Sequence, residues 1–251
     1  MDLTKELERA ERAARAAGEQ LRKHAASDQT ILSQEGRDVK LQADQDAEAV
    51  ILEILRESPF AILAEESGEH GEIASDLPLW VVDPLDGTYN YSRQIPFCAV
   101  SIALCRGEEP LLGVIYDFNR DEMFCGIVGQ GATLNGTPIR VSEVRDRSQA
   151  VLVTGVPARS VFTPEVLMQF AQRMAVFKKV RLMGSAAVML AYVCCGRADA
   201  YLENEIMFWD VAAGIALIRA AGGWVHIEPS EHIAWGRRVR CAADGSLWEG
   251  I

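Results

Sequence analysis

Asp83 and Asp86 close the apolar run of "LWVVDPLDGTYNY", residues 79–91, and no basic residue follows before Arg93. Three more acidic spots sit at the edges of apolar elements. They are Glu65 and Glu66 after "FAILA", Asp210 in "FWDVAAGIAL", and Asp44 opening "DQDAEAVILEIL". Strand ends are where loops present chemistry from a rigid scaffold. Carboxylates crowded there repel one another, and loss of water sharpens the repulsion, so the set calls for a cation. Oxygen ligands without His or Cys suit a hard divalent ion such as magnesium. Gly87 and Thr88 follow the second aspartate and open a predicted helix, whose first N–H groups face the same place. A metal cluster beside a helix start is, in physical terms, a phosphate site.

Taken singly, each acid also has a plain structural reading. Asp210 and Asp44 suit helix N-caps, Asp83-Pro84 opens turns, and Glu65-Glu66 reads as an exposed loop. The chemical reading rests on "DPLDGT" as a whole.

The elements that must position these residues follow from hydrophobic periodicity. Leu3, Leu7, Ala10, Ala14, Ala17 and Leu21 mark an amphipathic first helix, and Ala47, Val50, Ile51, Ile54 and Leu55 a second. Between them, residues 38–43 read as extended. "FAILA" and "LWVVD" are short strands. "FCAVSIALC", "EPLLGVIYDF" and "EMFCGIVGQGATLNG" form a meander split by Gly and Asn turns. Beyond it, "VLVTGV" and "ADAYLEN" are strands, and residues 224–245 close the chain as short strands. The helices there are "TPEVLMQFAQRMAVF", opened by Thr163 with Pro164 in its first turn, "SAAVMLAYVCCG", and "WDVAAGIALIRAAGG", ended by Gly222 and Gly223. A soft boundary falls near residue 140. Residues 1–140 carry most of the acids and 141–251 carry Asp210, as one compact unit without a linker.

Composition narrows the function. The chain has 251 residues, 49% hydrophobic, enough for a sizeable core. No apolar run is long enough for a membrane span, and the start lacks the apolar core of a secretion signal. The six cysteines form no CxxC pair, so buried free thiols in a reducing cytoplasm are expected, with no zinc site. A net charge of −11 argues against nucleic acid as the main ligand. The basic clusters "KKVR" (178–181) and "RRVR" (237–240) read as solvated surface. His24, His70, His226 and His232 lie outside the motifs.

"DPLDGTYNY" resembles the first signature of the inositol monophosphatase family, and "WDVAAGIALIRAAGG" its second. "LAEESG", "MGSAAVMLAYVCCGRADAYLE" and "GATLNGTPIRVS" are similar as well, so the likeness covers nearly the whole chain. It implies a layered α-β-α-β-α sandwich of the inositol monophosphatase and sugar phosphatase type, often a homodimer. The implied metal ligands are Glu65, Asp83, the Leu85 carbonyl, Asp86 and Asp210, holding two or three Mg²⁺. Thr88 and Asp44 would orient the attacking water, and the Gly87 and Thr88 N–H groups would hold phosphate. Glu203 matches an acid that binds substrate hydroxyls, with Glu205 a second possible acceptor. Gly184, Ser185 and Ala186 match the pocket wall. "DVKLQAD" departs from the pattern with Lys40 and Leu41, Ser33 and Gly36 lie where a lysine is often found, and "ENEIMFWD" departs with Glu205 and Met207.

These implications point to a cytoplasmic, magnesium-dependent phosphomonoesterase acting on a small phosphorylated metabolite, a polyol or sugar monophosphate. The alternatives are a sugar bisphosphatase, a 3′-phosphoadenosine 5′-phosphate nucleotidase, a histidinol phosphatase, or a regulatory binding protein that keeps the fold.

Overall fold

A computed structural model describes residues 1–25, 31–35, 38–74, 76–156 and 163–250. Gly36 lies outside the described residues, as does the side chain of Lys40. The chain opens with α1 (Leu3–His24), then β1 (Ile31–Glu35), β2 (Asp38–Leu41) and α2 (Gln42–Leu55). Next come β3 (Ala61–Ala64), β4 (Gly68–His70), β5 (Pro78–Asp86) and the short α3 (Thr88–Ser92). The meander is β6 (Ala99–Arg106), β7 (Glu109–Asp117), β8 (Glu122–Ile127), β9 (Gly131–Leu134) and β10 (Thr137–Ile139). The remainder is β11 (Val151–Thr154), α4 (Pro164–Ala175), β12 (Lys179–Leu182), α5 (Ala186–Cys194), β13 (Ala200–Met207), α6 (Phe208–Ala220), β14 (Trp224–Pro229), β15 (Gly236–Ala242) and a closing 3₁₀ turn at Gly245–Trp248.

These elements stack as five layers. An eight-stranded sheet, ordered β10-β9-β8-β7-β6-β5-β3-β4, is covered on one face by α1 and α2. Ala10, Ala13, Ala14, Ala17 and Leu21 of α1, and Ala47, Ile51 and Leu55 of α2, are 0% exposed, which is what the helical apolar spacing requires. Alternate residues of β5 and β6 face the other way, onto α5 and α6. These two helices are apolar on all sides because they lie between two sheets. Their crossing is close: a Cβ on Gly214 would come within 2.4 Å of Leu190 Cβ. Beyond them lies a five-stranded sheet, β12-β11-β13-β15-β14. Its outer face packs Leu152, Ala200 and Leu202 on Phe177 and Trp248, with Met174 of α4 alongside. The fold is thus a mixed α/β, α-β-α-β-α sandwich.

"KKVR" lies at the surface as expected, most of it in the exposed edge strand β12 beside β11, a strand too short and too polar to announce itself by periodicity. One reading needs correction. In "RRVR", Arg237 is 3% exposed. Its guanidinium lies 4.6 Å from the Phe208 ring centre and 3.0 Å from Glu108 Oε1. An arginine can lie in a core when an aromatic face and a carboxylate replace its water. The cysteines are free, and all but Cys195 are buried. Among the described residues, no helix is long and apolar enough to cross a membrane.

Candidate metal centre

Parallel pairing of β3 with β5 places Ala64 opposite Val82, so the next residues, Glu65 just past the end of β3 and Asp83 within β5, stand side by side. The Glu65 N–H still bonds the Val82 carbonyl at 3.1 Å. Asp210 arrives from the other half of the chain, in the first turn of α6. Carboxylate oxygens of Glu65, Asp83 and Asp210 all lie within 4.8 Å of one another. The Ser101 hydroxyl donates to the Trp209 carbonyl at 3.2 Å, tying the start of α6 to β6.

Asp83 and Asp86 are three apart, which in a regular strand would put them on opposite faces. A bulge intervenes: Asp83 pairs with Ser101 and Asp86 with Ala99. The extra residue alters the facing of the second acid: Asp86 stands outside the Glu65–Asp83–Asp210 set, but its charge reaches both Asp83 and Asp210. The Asp83 carboxylate also accepts from the Leu85 N–H at 2.9 Å.

The electrostatics are those of a cation site. Asp83 and Asp86 are buried. Burial pushes the Asp83 carboxyl well above its ordinary range, and Glu65, Asp86 and Asp210 push it further. Asp210 is raised by burial and then by Glu65, Asp86 and Glu203. Asp86 is pushed up to about 6 by burial, opposed by bonds from Ser185 and Ala187. The charges acting most strongly on Asp83 and Asp210 are therefore acidic. A hard divalent ion fits this all-oxygen donor set and removes the repulsion.

Asp44 and Asp210 are not N-caps. Leu41 and Met207 hold those positions, and each aspartate stands third in its helix. From there Asp44 accepts from the Leu41 N–H at 2.6 Å, and Asp210 accepts from that of Met207. Each thus supports its helix start in the manner of a capping-box acid. The Thr88 hydroxyl donates to the Leu85 carbonyl at 3.0 Å, which links two of the expected site groups. Gly87, at φ +91°, caps α3, and a Cβ there would meet the Phe97 carbonyl oxygen at 2.8 Å. Only glycine satisfies both demands.

The expected pocket wall serves the acids directly. The Ser185 hydroxyl donates to Asp86, and the Ala187 N–H bonds the same oxygen at 2.7 Å. The start of α5, just after Gly184 and at Ala186, is thereby fixed to β5. Glu203 is only 4% exposed, and burial with the Asp86 charge pushes it up to about 8. Glu205 is not on the same wall: it follows a bulge in β13, has φ +59°, and its carboxylate accepts from Ser230 Oγ.

Three supporting residues escape sequence reading. Glu48 of α2, 3% exposed, accepts from the Glu66 N–H at 2.9 Å and holds the turn after β3. Its place four residues after Asp44, on one helix face, was the available signal. The Asn90 amide donates to the Phe97 and Met183 carbonyls, both at 2.8 Å, and so fixes the approach to Gly184. Tyr201, with its hydroxyl toward Glu203, carries no local signal beyond the alternation of β13.

Residues 2–249 match the profile described as the inositol monophosphatase family. An inositol-1-monophosphatase of Synechocystis sp. is 44% identical over 200 residues, spanning 77% of this chain and 69% of the relative. A Nus factor SuhB of Xylella fastidiosa is 41% identical over 219 residues, spanning 85% of this chain and 78% of the relative. The solved inositol monophosphatase of Anabaena (Nostoc) superimposes with a TM-score of 0.81 at 38% identity, covering 98% of this chain and 94% of its own. The extragenic suppressor protein suhB of Bartonella henselae gives 0.84 at 35% identity, covering 96% and 97%.

Proposed function

The chain belongs to the inositol monophosphatase family, and on that premise we propose that it is a magnesium-dependent phosphomonoesterase acting on a small polyol or sugar monophosphate. The observation that carries this is the convergence of Glu65, Asp83 and Asp210 from three separate elements. These carboxylates, with Asp86 and the Leu85 carbonyl, would hold two or three Mg²⁺. When bound, the ions neutralise the phosphate and lower the pKa of a coordinated water. Thr88 and Asp44 orient that water, and the Gly87 and Thr88 N–H groups bind phosphate oxygens. Ser185 and Ala187 keep Asp86 aimed. With the cations bound nearby to hold its carboxylate ionised, Glu203 would accept from substrate hydroxyls, and charge-assisted bonds of this kind contribute roughly 1.5–3 kcal/mol.

The test compares myo-inositol 1-phosphate, 2-glycerophosphate, fructose 1,6-bisphosphate and 3′-phosphoadenosine 5′-phosphate by kcat/KM. Wild type should favour the polyol monophosphates, and Glu203→Gln should lose roughly tenfold or more on them. A preference for a bisphosphate or the nucleotide sinks the substrate class and leaves the metal-dependent phosphatase.

Thr88→Ala probes the water. Its hydroxyl acts mainly in the transition state while its N–H remains, so kcat should fall about 10- to 100-fold with KM within about twofold. A raised KM at unchanged kcat refutes the role.

Relatives named Nus factor SuhB favour a second reading, a regulatory binding protein. The converging acids support turnover as well, because a binding surface gains nothing from buried carboxylates that raise one another's pKa. A metal-dependent turnover assay on the purified chain separates the two.

A further inference from the structure

Tyr201 stands two residues before Glu203 on the same face of β13, and its ring is 0% exposed. It is packed in the central core with Val153, Phe208, Val211 and Val239, so the phenol has little freedom to turn. Its hydroxyl makes no hydrogen bond of good geometry. It nevertheless stands close enough to Glu203 to favour the charged carboxylate, and the Asp210 and Asp86 charges also reach it. A buried hydroxyl without a partner is costly, and native structures leave few of them. The Glu203 carboxylate is confined from another side. It lies flat on Gly155, where a Cβ would come within 2.4 Å of Oε1 and 2.8 Å of Cδ. A fixed donor and a bare backbone floor thus bracket one carboxylate.

We propose that Tyr201 is a positioning residue for substrate recognition. Its hydroxyl donates to one Glu203 oxygen when a polyol phosphate is seated, and this leaves the other oxygen for the substrate's vicinal hydroxyls. Gly155 supplies the room in which the carboxylate settles. This rests on the polyol phosphatase reading and deepens it. Asp86 and Asp210 serve the phosphate end of the substrate, and the Tyr201–Glu203 pair serves the alcohol end.

The experiment measures kcat and KM with Mg²⁺ on myo-inositol 1-phosphate and on phenyl phosphate, whose leaving group has no hydroxyl to recognise. Wild type, Tyr201→Phe, Glu203→Gln, the double variant and Gly155→Ala are compared. Melting temperatures of the chelated proteins are read alongside. Tyr201→Phe should raise KM for the inositol ester about tenfold, the usual scale for a bond to a charged group. KM for phenyl phosphate should stay within about twofold. In the Glu203→Gln background the same change should add nothing, because the two residues act as a unit. Gly155→Ala should raise the same KM. The chelated Tyr201→Phe protein should melt no lower than wild type, since an unpaired hydroxyl has been removed. A lower melting point, equal effects on both esters, or additive effects with Glu203→Gln overturn the proposal. A wild type that prefers the inositol ester beside a Tyr201→Phe variant with unchanged KM overturns it alone. A wild type with no such preference overturns the polyol reading and this proposal with it.

Discussion

Asp210→Asn and Asp83→Asn should each lose turnover by on the order of a thousandfold, the scale of losing a charge that serves the transition state. The metal-free proteins should melt no lower than wild type. The two halves of this result come from one cause. Asp83 is buried and Asp210 half-buried; both are raised by Glu65 and Asp86, and Asp83 also by Asp210, so neutralising one relieves repulsion while it deletes a cation ligand. Asp210 also accepts a backbone bond from Met207 at the start of α6. An asparagine oxygen can accept that bond as well, so a purely structural aspartate would tolerate the change. Kinetics and melting measured on the same preparations decide the matter. Near-normal turnover in Asp210→Asn would return the residue to a helix-start role. Asp86→Asn is the less clean variant, because the Asp86 carboxylate also accepts from Ser185 and Ala187. Loss of that acceptor would loosen α5 as well as the site.

The features legible in the sequence were those written in contiguous residues. The apolar run into Asp83 and the Gly87-Thr88 pair are local signals that correspond to element edges, and the nearly unbroken apolar run of "DVAAGIAL" corresponds to the buried helix α6. The fold class came from the alternation of such elements and from the family likeness. Other features depend on register and long-range packing. The bulge between Asp83 and Asp86 leaves no mark in composition. Ser185 meets Asp86 across 99 residues, so the two could be joined only through the family likeness. Arg237 looked like surface because a charged run usually is. Its burial depends on Phe208 and Glu108, which arrive from distant elements. Glu205 looked like a neighbour of Glu203, but the bulge and the positive φ turn it toward Ser230. The proposed substrate end is the hardest part to read for the same reason: Tyr201 and Gly155, which bracket Glu203, and the start of α5 come from three segments with no common motif.

Chelation should abolish turnover and also set the direction in which pH acts on stability. The motivating groups are Asp83 and Asp210, both raised by burial and by their acidic neighbours, and Asp86, raised to about 6. Glu203, at about 8, acts in the same sense. Each of these carboxyls binds its proton more tightly folded than unfolded, where the pKa is about 4. The stability this confers is fully present below the unfolded value and is lost as pH rises through the folded values. For Asp86 alone the shift corresponds to about 3 kcal/mol lost once pH exceeds both values. In EDTA the protein should therefore melt lower at pH 8 than at pH 5.5. Mg²⁺ binds the charged forms, so it should raise the melting temperature more at pH 8, and its binding near pH 6 should release protons into a weak buffer. Readdition of Mg²⁺ should restore turnover. Excess Ca²⁺ should not, because its looser coordination positions water poorly. Two results would refute the metal site: full turnover in a metal-free sample, or a chelated protein whose melting temperature climbs from pH 5.5 to 8. The first would remove the cation from the chemistry. The second would mean that the converging carboxylates are already neutralised by the protein itself.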